Sequence, residues 1–485
     1  DRSNVVVRTI GCCRDEKELK RLEVQAQSEL AALTPQLKFD FGKSDREETA
    51  LELLKSTSVQ AVGPELILGR IFDKIGFNEL PDELFREIVL ARLVCPGSKL
   101  RTTEYLLQHK RKEIDVDRIY RFLDKLHSTY QERVEQIAYG YTKQALDGEP
   151  SVVFYDMTTL YFEAENEDDL RKIGFSKDGK FQHPQIMLGL LIGKDGYPVS
   201  YDIFEGNTFE GKTLLPVLKR AEQRFGLLKP TVVADSGLLS IANIQLLVDE
   251  GYQFILGARI KNESLAIQNQ ILQAASSLQD KQCFVVKKSG GVRLIIDYSE
   301  NRAKKDAHNR ERGIARLKAK LRSGRLTKTC LNNRGYNKFL ILKGDIHVDL
   351  DPARIELDRR WDGLKGYLTN STCPTIDVIG SYKQLWKIER AFRISKTDLR
   401  IRPIYHRKRN RIEAHICIAF TAYTVFKELE RLLQFHRIPI SPQRAIELMT
   451  TIYQFQIYLP DSIQTYATFA RLSTLQKQLL NLISA

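Results

Sequence analysis

The chain has 485 residues and a formal net charge of +14 at pH 7. Its composition, with 42% hydrophobic and 28% charged residues, excludes an intrinsically disordered chain, and its length favours about three domains. So basic a balance favours a polyanionic partner, most commonly nucleic acid, although a basic surface without any ligand would give the same charge.

Cysteine usage and hydropathy indicate the compartment. Seven cysteines are scattered along the chain without CxxC spacing, which argues against a disulfide framework and against a zinc site. No apolar run approaches the ~20 residues that span a bilayer, and no secretory signal pattern is visible. We therefore expect a protein of a reducing cytoplasm and no membrane partner.

The first part of the chain is predicted to be mainly helical. Residues 1–62 should form a helical or extended segment, and residues 63–150 a domain of short helices separated by prolines and polar stretches. The helices of this domain are expected at residues 65–75, 82–94, 99–109, 116–127 and 129–146. Such a run can contain a helix-turn-helix that binds DNA, with Arg118 and Arg121 on one exposed face, but a plain helical scaffold fits equally well.

The pattern changes to β type after residue 150. The strands are expected at residues 152–156, 186–192, 198–204, 231–235 and 252–256, and the intervening helices at 211–225 and 241–250. A hairpin followed by strand–helix–strand crossovers predicts an α/β fold over residues 151–257, with a mixed five-stranded sheet flanked by helices.

The next segment interrupts this scheme. Residues 258–375 combine β-type runs with a basic helical stretch, Lys304–Lys328, and are predicted to form an inserted, β-rich subdomain. Residues 376–434 should be the second part of the core, beginning with one long helix, Ile376–Lys396. Residues 435–485 are predicted to form a C-terminal helical region.

Two aspartates follow apolar runs. Asp156 ends the run 151–155, and Asp235 ends the run 231–234. A carboxylate at the end of a buried strand opens onto the sheet edge where ligands of α/β sheets bind. Each could instead be structural, Asp156 in an Asx turn and Asp235 as a helix cap. Their equivalent positions in one predicted sheet favour a catalytic pair.

A third acid, Glu389, lies in a basic segment. Between Lys383 and Arg411, eleven lysines and arginines accompany only two acids. On a helix, Glu389 would share one stripe, at spacings of four and three residues, with Tyr382, Trp386, Arg393, Lys396 and Arg400. Such surroundings would keep a carboxylate ionised and able to bind a cation. A salt-bridged surface helix is the structural alternative.

Together the three carboxylates suggest a metal-dependent nuclease centre. Two Mg²⁺ ions, or Mn²⁺ as a substitute, would take these oxygen ligands, with Asp156 bridging and with Asp235 and Glu389 each completing one site.

Neighbouring residues would bind the DNA. Arg393 and Lys396 would hold a phosphate close to the cleaved bond. Tyr382 and Trp386 would either stack on an unpaired base or pack on the sheet, and the sequence leaves both alternatives open.

Several segments resemble the DDE transposases of bacterial insertion sequences, in the IS4-type group and most closely its IS1634 branch. The group's signature around the third acid is a tyrosine, an arginine, a glutamate and a lysine; Tyr382, Glu389 and Lys396 match it at the right spacing, while Leu385 replaces the arginine. Further similar segments are Phe154–Phe162, Gly206–Asn207 with Glu210, Ala234–Gly237, Leu385–Glu389, and Arg402–Pro403 with His406.

The resemblance implies a prokaryotic, nucleoid-associated protein with an RNase H-like core, which the insertion interrupts before the helix of Glu389. It also implies cut-and-paste transposition, in which a homodimer bridges two terminal inverted repeats, cleaves the element ends and joins them to target DNA. Trp361, in the insertion, is then a candidate for holding a flipped base. DNA contacts are expected from Lys387, Arg390, Arg393, Lys396, Arg400, Arg402 and His406, with one of the first three replacing the absent arginine.

Two other functions fit parts of the sequence. A stand-alone nuclease of the same fold would cut DNA without joining it. A catalytically silent DNA-binding regulator would keep the basic surface, but the presence of all three acids argues against it.

Overall fold

The computed structural model describes most of the chain. The described residues are 8–33, 57–177, 179–238, 240–323, 332, 335–343, 347–458 and 465–483. Two units can be separated: residues 1–59 with 454–469, and residues 60–453 with 470–485. Every candidate site residue belongs to the second unit.

The first elements in chain order are α1 (Glu16–Leu33), β1 (Thr57–Ala61), α2 (Arg70–Ile75), α3 (Glu83–Val94), α4 (Lys99–Lys110), α5 (Val116–Lys125) and α6 (Gln131–Ala145). The sequence determines several helix starts, because the side chains of Asp82, Ser98 and Asp115 accept hydrogen bonds from backbone N–H groups in the first turns of α3, α4 and α5. Helices α2 to α6 agree with the predicted helical segments.

An eight-stranded sheet lies at the centre of the second unit. Its first part contains β2 (Val152–Tyr161), β3 (Gln185–Gly193), β4 (Pro198–Glu205), α7 (Leu214–Phe225), β5 (Thr231–Ala234), α8 (Ile241–Asp249) and β6 (Phe254–Ala258). Strand β2 pairs antiparallel with β3 and parallel with β5, and β5 pairs parallel with β6. The predicted hairpin and crossovers are therefore present.

The insertion contributes strands to this same sheet. Its elements are α9 (Leu265–Ala275), β7 (Cys283–Lys287), β8 (Arg293–Tyr298), α10 (Glu300–Arg322), β9 (Leu340–Lys343), β10 (His347–Leu350), α11 (Pro352–Arg359) and β11 (Leu364–Thr369). Strand β11 pairs antiparallel with β6, and β8 and β7 continue the sheet in the order β4-β3-β2-β5-β6-β11-β8-β7. The prediction of five strands was wrong, because β6 is buried and its free edge takes a backbone partner from the insertion.

The strands bury both faces of the sheet. Phe154 and Val233 pack into a core shared with the helical region, whereas the alternate residues Tyr155 and Val232 pack into a second core under α7 and α8. Residue parity along each strand therefore tells which side of the sheet a side chain faces.

The helix predicted over Ile376–Lys396 is broken. It consists of α12 (Thr375–Lys383) and α13 (Trp386–Arg393), followed by a π-helical turn at Ile394–Asp398. The turn between the two helices tightens, because the N–H of Lys387 bonds the carbonyl three residues before it at 2.9 Å. The stripe predicted from Tyr382 to Arg400 is thus interrupted.

The last part of the chain contains α14 (Arg409–Phe435), α15 (Pro442–Met449), β12 (Tyr453–Tyr458), β13 (Thr465–Phe469) and α16 (Thr474–Leu480). Helix α14 is buried over most of its length. Strands β12 and β13 join β1 in a three-stranded sheet. The prediction of a purely helical C-terminal region was therefore wrong. Tyr453, Phe455 and Ile457 alternate with polar residues, and such alternation is typical of a strand.

Candidate active site

The sheet register places two aspartates side by side. The last aligned pair of the parallel strands β2 and β5 is Tyr155 with Ala234, so Asp156 and Asp235 are the next residues on each strand. Adjacent strands lie about 4.8 Å apart. Asp156 does not end its strand as predicted, because β2 continues to Tyr161 in antiparallel pairing with β3 after β5 has ended.

Both carboxylates face the side of the sheet that carries α12 and α13. Phe154 and Val233, two residues before each aspartate, pack into the core that includes Ile388 of α13. A hydrogen bond confirms this placement, since the Tyr382 hydroxyl donates to Oδ1 of Asp235 at 3.1 Å. Gly257 permits this contact, because a Cβ there would collide with the Tyr382 hydroxyl.

Asp156 is costly to ionise. Its pKa is raised from the ordinary 3.8 to about 6; burial is the main cause, the charges of Glu210 and Asp235 add to it, and the nearby Lys177 and the backbone N–H of Met157 oppose the rise. The Met157 N–H donates to Oδ1 of Asp156 at 2.7 Å. With 28% of its side chain exposed, Asp156 remains accessible to a ligand. A partly buried carboxylate beside two others is poised to bind a cation.

Lys177 and Glu210 belong to this edge of the sheet, although sequence reasoning did not assign them a role. The ammonium of Lys177 lies 2.7 Å from Oε1 of Glu210 and 3.9 Å from Oδ1 of Asp156. It also donates to the carbonyl of Met157 at 2.7 Å. Glu210 lies in a segment that resembles the transposases, which is a usable signal. Lys177 comes from the polar loop between β2 and β3, where no local pattern distinguishes it.

Glu389 lies exposed on α13. Glu389 and Asp235 both interact electrostatically with Lys365 of β11. Burial and the charge of Arg302 lower the pKa of Lys365, and the negative charges of Asp235 and Glu389 oppose that shift. The Lys365 ammonium lies 4.4 Å from the centre of the Tyr382 ring. Asp235 and Glu389 are therefore both close enough to act on one lysine.

The carboxylates are not gathered into a complete metal site. Within the described residues, no three Asp, Glu, His or Cys side chains lie close enough together to hold a metal ion. The donor chemistry nonetheless fits Mg²⁺ or Mn²⁺, because this edge offers carboxylate oxygens from Asp156, Asp235 and Glu210 with Glu389 on the adjoining helix.

A basic cleft of about 440 Å³ begins at Asp235 and Tyr382. Its cationic lining comes from the end of β6, from α10 and from β11, and consists of Arg259, Lys261, Arg302 and Lys365. No sequence pattern distinguishes these four residues, because they come from separate parts of the insertion. Positive charge beside the carboxylates is what a phosphodiester backbone requires.

The predicted DNA-contact residues of α13 differ in their availability. Lys387 pairs with Asp195 at 3.0 Å, and Arg390 pairs with Glu430 of α14. Arg393 is exposed and so is Arg400, beyond the π-helical turn, whereas Lys396 is half-buried. The first two cations thus already have protein partners.

The aromatic residues predicted to contact DNA also differ in how far they are buried. Tyr382 is 5% exposed and meets Tyr367 edge-on, with ring centres 5.0 Å apart, so it packs on the sheet. Trp361 is 9% exposed and belongs to the core under α7 and α8, although it lines a cleft of about 300 Å³ in the insertion. Trp386 is 51% exposed. Of these three rings, Trp386 offers the most surface for stacking on a base.

The remaining predicted contacts lie in the helical region and after α13. Arg118 and Arg121 are exposed on α5, whose opposite face buries Ile119. Arg402 lies 5.8 Å from the centre of the Tyr161 ring. His406 is half-buried, and burial together with neighbouring cations lowers its pKa to about 3, so it is neutral at physiological pH.

The comparisons with known proteins identify the family. Residues 147–425 match the family described as Transposase DDE domain, and because this stretch exceeds half of the 485 residues, the chain belongs to that family. It is a DNA transposase, an enzyme that cleaves DNA and transfers the cleaved strand. The match spans Asp156, Asp235 and Glu389.

Solved structures and curated proteins add little beyond the family. A cryo-EM structure of the piggyBac transposase synaptic complex with hairpin DNA is similar at 10% identity and a TM-score of 0.39, over 80% of this chain and 76% of that one. No curated protein matches the chain. Across the described residues, every helix is too short or too polar to cross a membrane.

Proposed function

We propose that this transposase moves DNA by cut-and-paste and belongs to the IS4-type group, in its IS1634 branch. Asp156, Asp235 and Glu389 are its catalytic carboxylates. The observation that supports this most is the parallel register of β2 and β5, which sets Asp156 beside Asp235 on the face where Tyr382 and the helix of Glu389 pack.

The three carboxylates would hold two divalent ions, with Mg²⁺ preferred and Mn²⁺ able to replace it. Bound ions of this kind make a water or a 3′-hydroxyl more acidic and stabilise charge on the leaving oxygen. In this proposal Asp156 would hold the ions together with Asp235 and Glu389. Lys177 now supplies the positive charge beside Asp156 and Glu210, so a cation bound there would replace its electrostatic role.

Glu389 would complete the site from α13. Its exposure means that packing does not hold its side chain in one rotamer. Its helix packs against β2, the strand of Asp156, and this supports a position on the same face of the sheet as the aspartates. Apo sites often tighten only when ligand and substrate are bound.

DNA would approach along the basic cleft. Arg302 and Lys365 line it beside Asp235, and Arg393 and Arg400 lie exposed after Glu389. These cations contact phosphates and so position the substrate without reading its sequence. Arg118 and Arg121 on α5 are the candidates for contacts that read the terminal repeats, within a homodimer that bridges two ends.

Oligonucleotides that carry the inverted repeats flanking the gene test this proposal. With Mg²⁺ the protein should cleave them and join them to a target plasmid, whereas a stand-alone nuclease would give hydrolysis products only. Asp235→Asn should lose both products. Asp249→Asn, on α8 at the opposite face of the sheet, is the matched control and should retain both. Joining by the Asp235→Asn variant would remove this residue from the site.

A further inference from the structure

A second charged site lies away from the carboxylates. A cavity of about 370 Å³ is enclosed by α3, α4, α5, the segment 400–406 and α14. Its lining includes four lysine or arginine side chains, two imidazoles and, among the described residues that form it, no carboxylate. These side chains are Arg92, Lys99, Arg400, Arg402, His406 and His415. A cavity lined in this way attracts anions.

Lys99 is the central observation. Its side chain lines the cavity, the residue is 4% exposed, and its ammonium has no hydrogen-bond partner among the residues that the structure describes. Burial, reinforced by the charge of Arg92, lowers its pKa well below the ordinary value. A buried ammonium without a partner is destabilising, and proteins rarely retain one unless it has a ligand.

Arg92 adds a second buried cation. It is 5% exposed, and within the part of the chain that the structure describes its guanidinium donates only long hydrogen bonds of 3.4 Å, to the carbonyls of Leu399 and Arg400. Burial lowers its pKa to about 10, so it remains charged at physiological pH. Neutral carbonyls do not balance this charge.

Two imidazoles and the start of a helix also line the cavity. His415 uses Nε2 in a hydrogen bond with the carbonyl of Ile401 at 3.0 Å, while its Nδ1 has no partner among the described residues. The first turn of the twelve-residue helix α4 also borders the cavity through Ser98 and Lys99. The N-terminus of a helix favours negative charge, so it acts in the same direction as the two cations.

We propose that this cavity binds a phosphate group, with Lys99 and Arg92 as its cationic partners. A phosphate anion would stabilise the ammonium form of Lys99, offset the charge of Arg92 and supply acceptors for both groups. The source of the phosphate would be the DNA backbone or a free phosphate compound. The site is distinct from the carboxylate edge, so it can exist whether or not the proposed metal-dependent chemistry is correct.

The site is joined to the catalytic strand. Ile404, within the segment that walls the cavity, forms a parallel bridge with Phe162 at the end of β2. Asp156 lies earlier on the same strand. Occupation of the cavity would therefore hold the chain segment that follows the π-helical turn of α13.

Phosphate binding by the purified protein tests the proposal directly. Sodium phosphate, compared with sodium chloride at equal ionic strength, should raise the melting temperature and give a saturable binding isotherm by calorimetry. Lys99→Met should weaken phosphate binding at least ten-fold. The same variant should melt at a higher temperature than the wild type without phosphate, because it removes an unpaired buried charge. An equal phosphate effect in the wild type and in this variant overturns the proposal.

Two matched variants on α4 test the proposal even if the Lys99→Met variant does not fold. Leu100 lines the cavity and is 60% exposed, whereas Leu107 on the same helix is 53% exposed and does not line it. Leu100→Glu should repel phosphate and weaken binding at least ten-fold, while Leu107→Glu should leave it unchanged. Equal binding by the two glutamate variants contradicts the assignment.

Duplex DNA identifies the source of the phosphate. If the DNA backbone enters the cavity, Lys99→Met should lower the slope of log affinity against log salt by about one. If the variant binds duplex DNA normally but has lost inorganic phosphate, a free phosphate compound is the ligand. Loss of neither kind of binding overturns the proposal.

Discussion

The carboxylate edge of the sheet and the cation cavity beside α4 are opposite in sign and alike in energetics. Burial is the main reason that the pKa of Asp156 is raised to about 6. Burial and the charge of Arg92 lower the pKa of Lys99. At the carboxylate edge, Lys177 partly balances the charge, whereas Lys99 has no such partner among the described residues. Uncompensated buried charge marks a place where a ligand of opposite sign would stabilise the fold.

The largest effect should come from Asp156→Asn. Cleavage should fall by about 10³-fold or more, because a neutral amide cannot replace a charged ligand. The variant should nevertheless be more stable at pH 7, by about 1–3 kcal/mol, because it removes a carboxylate whose pKa is raised in the folded state. Cleavage of inverted-repeat DNA and thermal melting measure the two effects. A variant that melts lower than the wild type would contradict the assigned cost of this charge.

The pH dependence should follow the same group. A carboxyl with a pKa raised from 3.8 to about 6 makes the fold lose stability as pH rises between these values, because the folded state holds the proton more tightly. Cation binding needs the ionised form, so Mg²⁺-dependent cleavage should rise as pH increases through about 6. Rates measured from pH 5 to 8 at Mg²⁺ concentrations below saturation and at low DNA check this, and a rate that falls with pH would exclude Asp156 as the titrating ligand.

Lys177→Met should shift that profile. Lys177 lowers the pKa of Asp156, so its removal should move the midpoint of the pH profile to higher pH. Lys212→Met is a suitable control, because Lys212 is exposed in the turn that follows Glu210. An identical profile for both variants would show that Lys177 does not act on the carboxylate.

The smallest expected effects are on DNA binding, and they should differ between the two cations of α13, Arg393 and Lys387. Arg393→Ala should weaken DNA binding and lower the salt slope by about one, because the exposed guanidinium can release a counterion from DNA. Lys387→Ala should have a smaller effect, since its ammonium already pairs with Asp195 at 3.0 Å. Binding at several salt concentrations measures both. Equal losses would mean that the Asp195 pair opens when DNA binds.

Local sequence patterns predicted the helices and strands better than they predicted which strands pair with each other. The apolar runs of β2 to β6 and the helices α2 to α6 were evident, because amphipathic periodicity depends on neighbouring residues alone. The three insertion strands were partly recognised as β type, but their membership of the central sheet was not. Pairing of β11 with β6 depends on which edge is free, and no local window contains that information.

The candidate site shows the same division. Asp156, Asp235 and Glu389 could be selected from the sequence because acids after apolar runs, or alone in a basic segment, are unusual. Lys177, Lys365 and Arg302 could not, because each is an ordinary polar residue until the fold brings it to the site. Tyr382 and Trp386 lie four residues apart, yet the break between α12 and α13 buries the first and exposes the second.

The sequence by itself determined the basic character, the α/β class, the helical character of residues 63–150 and the resemblance to transposases, since these rest on composition, period and motif spacing. Only the tertiary structure decided that the two aspartates stand in register, that the insertion extends the sheet, and that Lys99 is enclosed without a carboxylate partner in the described chain. Register, edge pairing and burial arise from contacts between residues far apart in the chain, and a sequence pattern contains the residues but not their contacts.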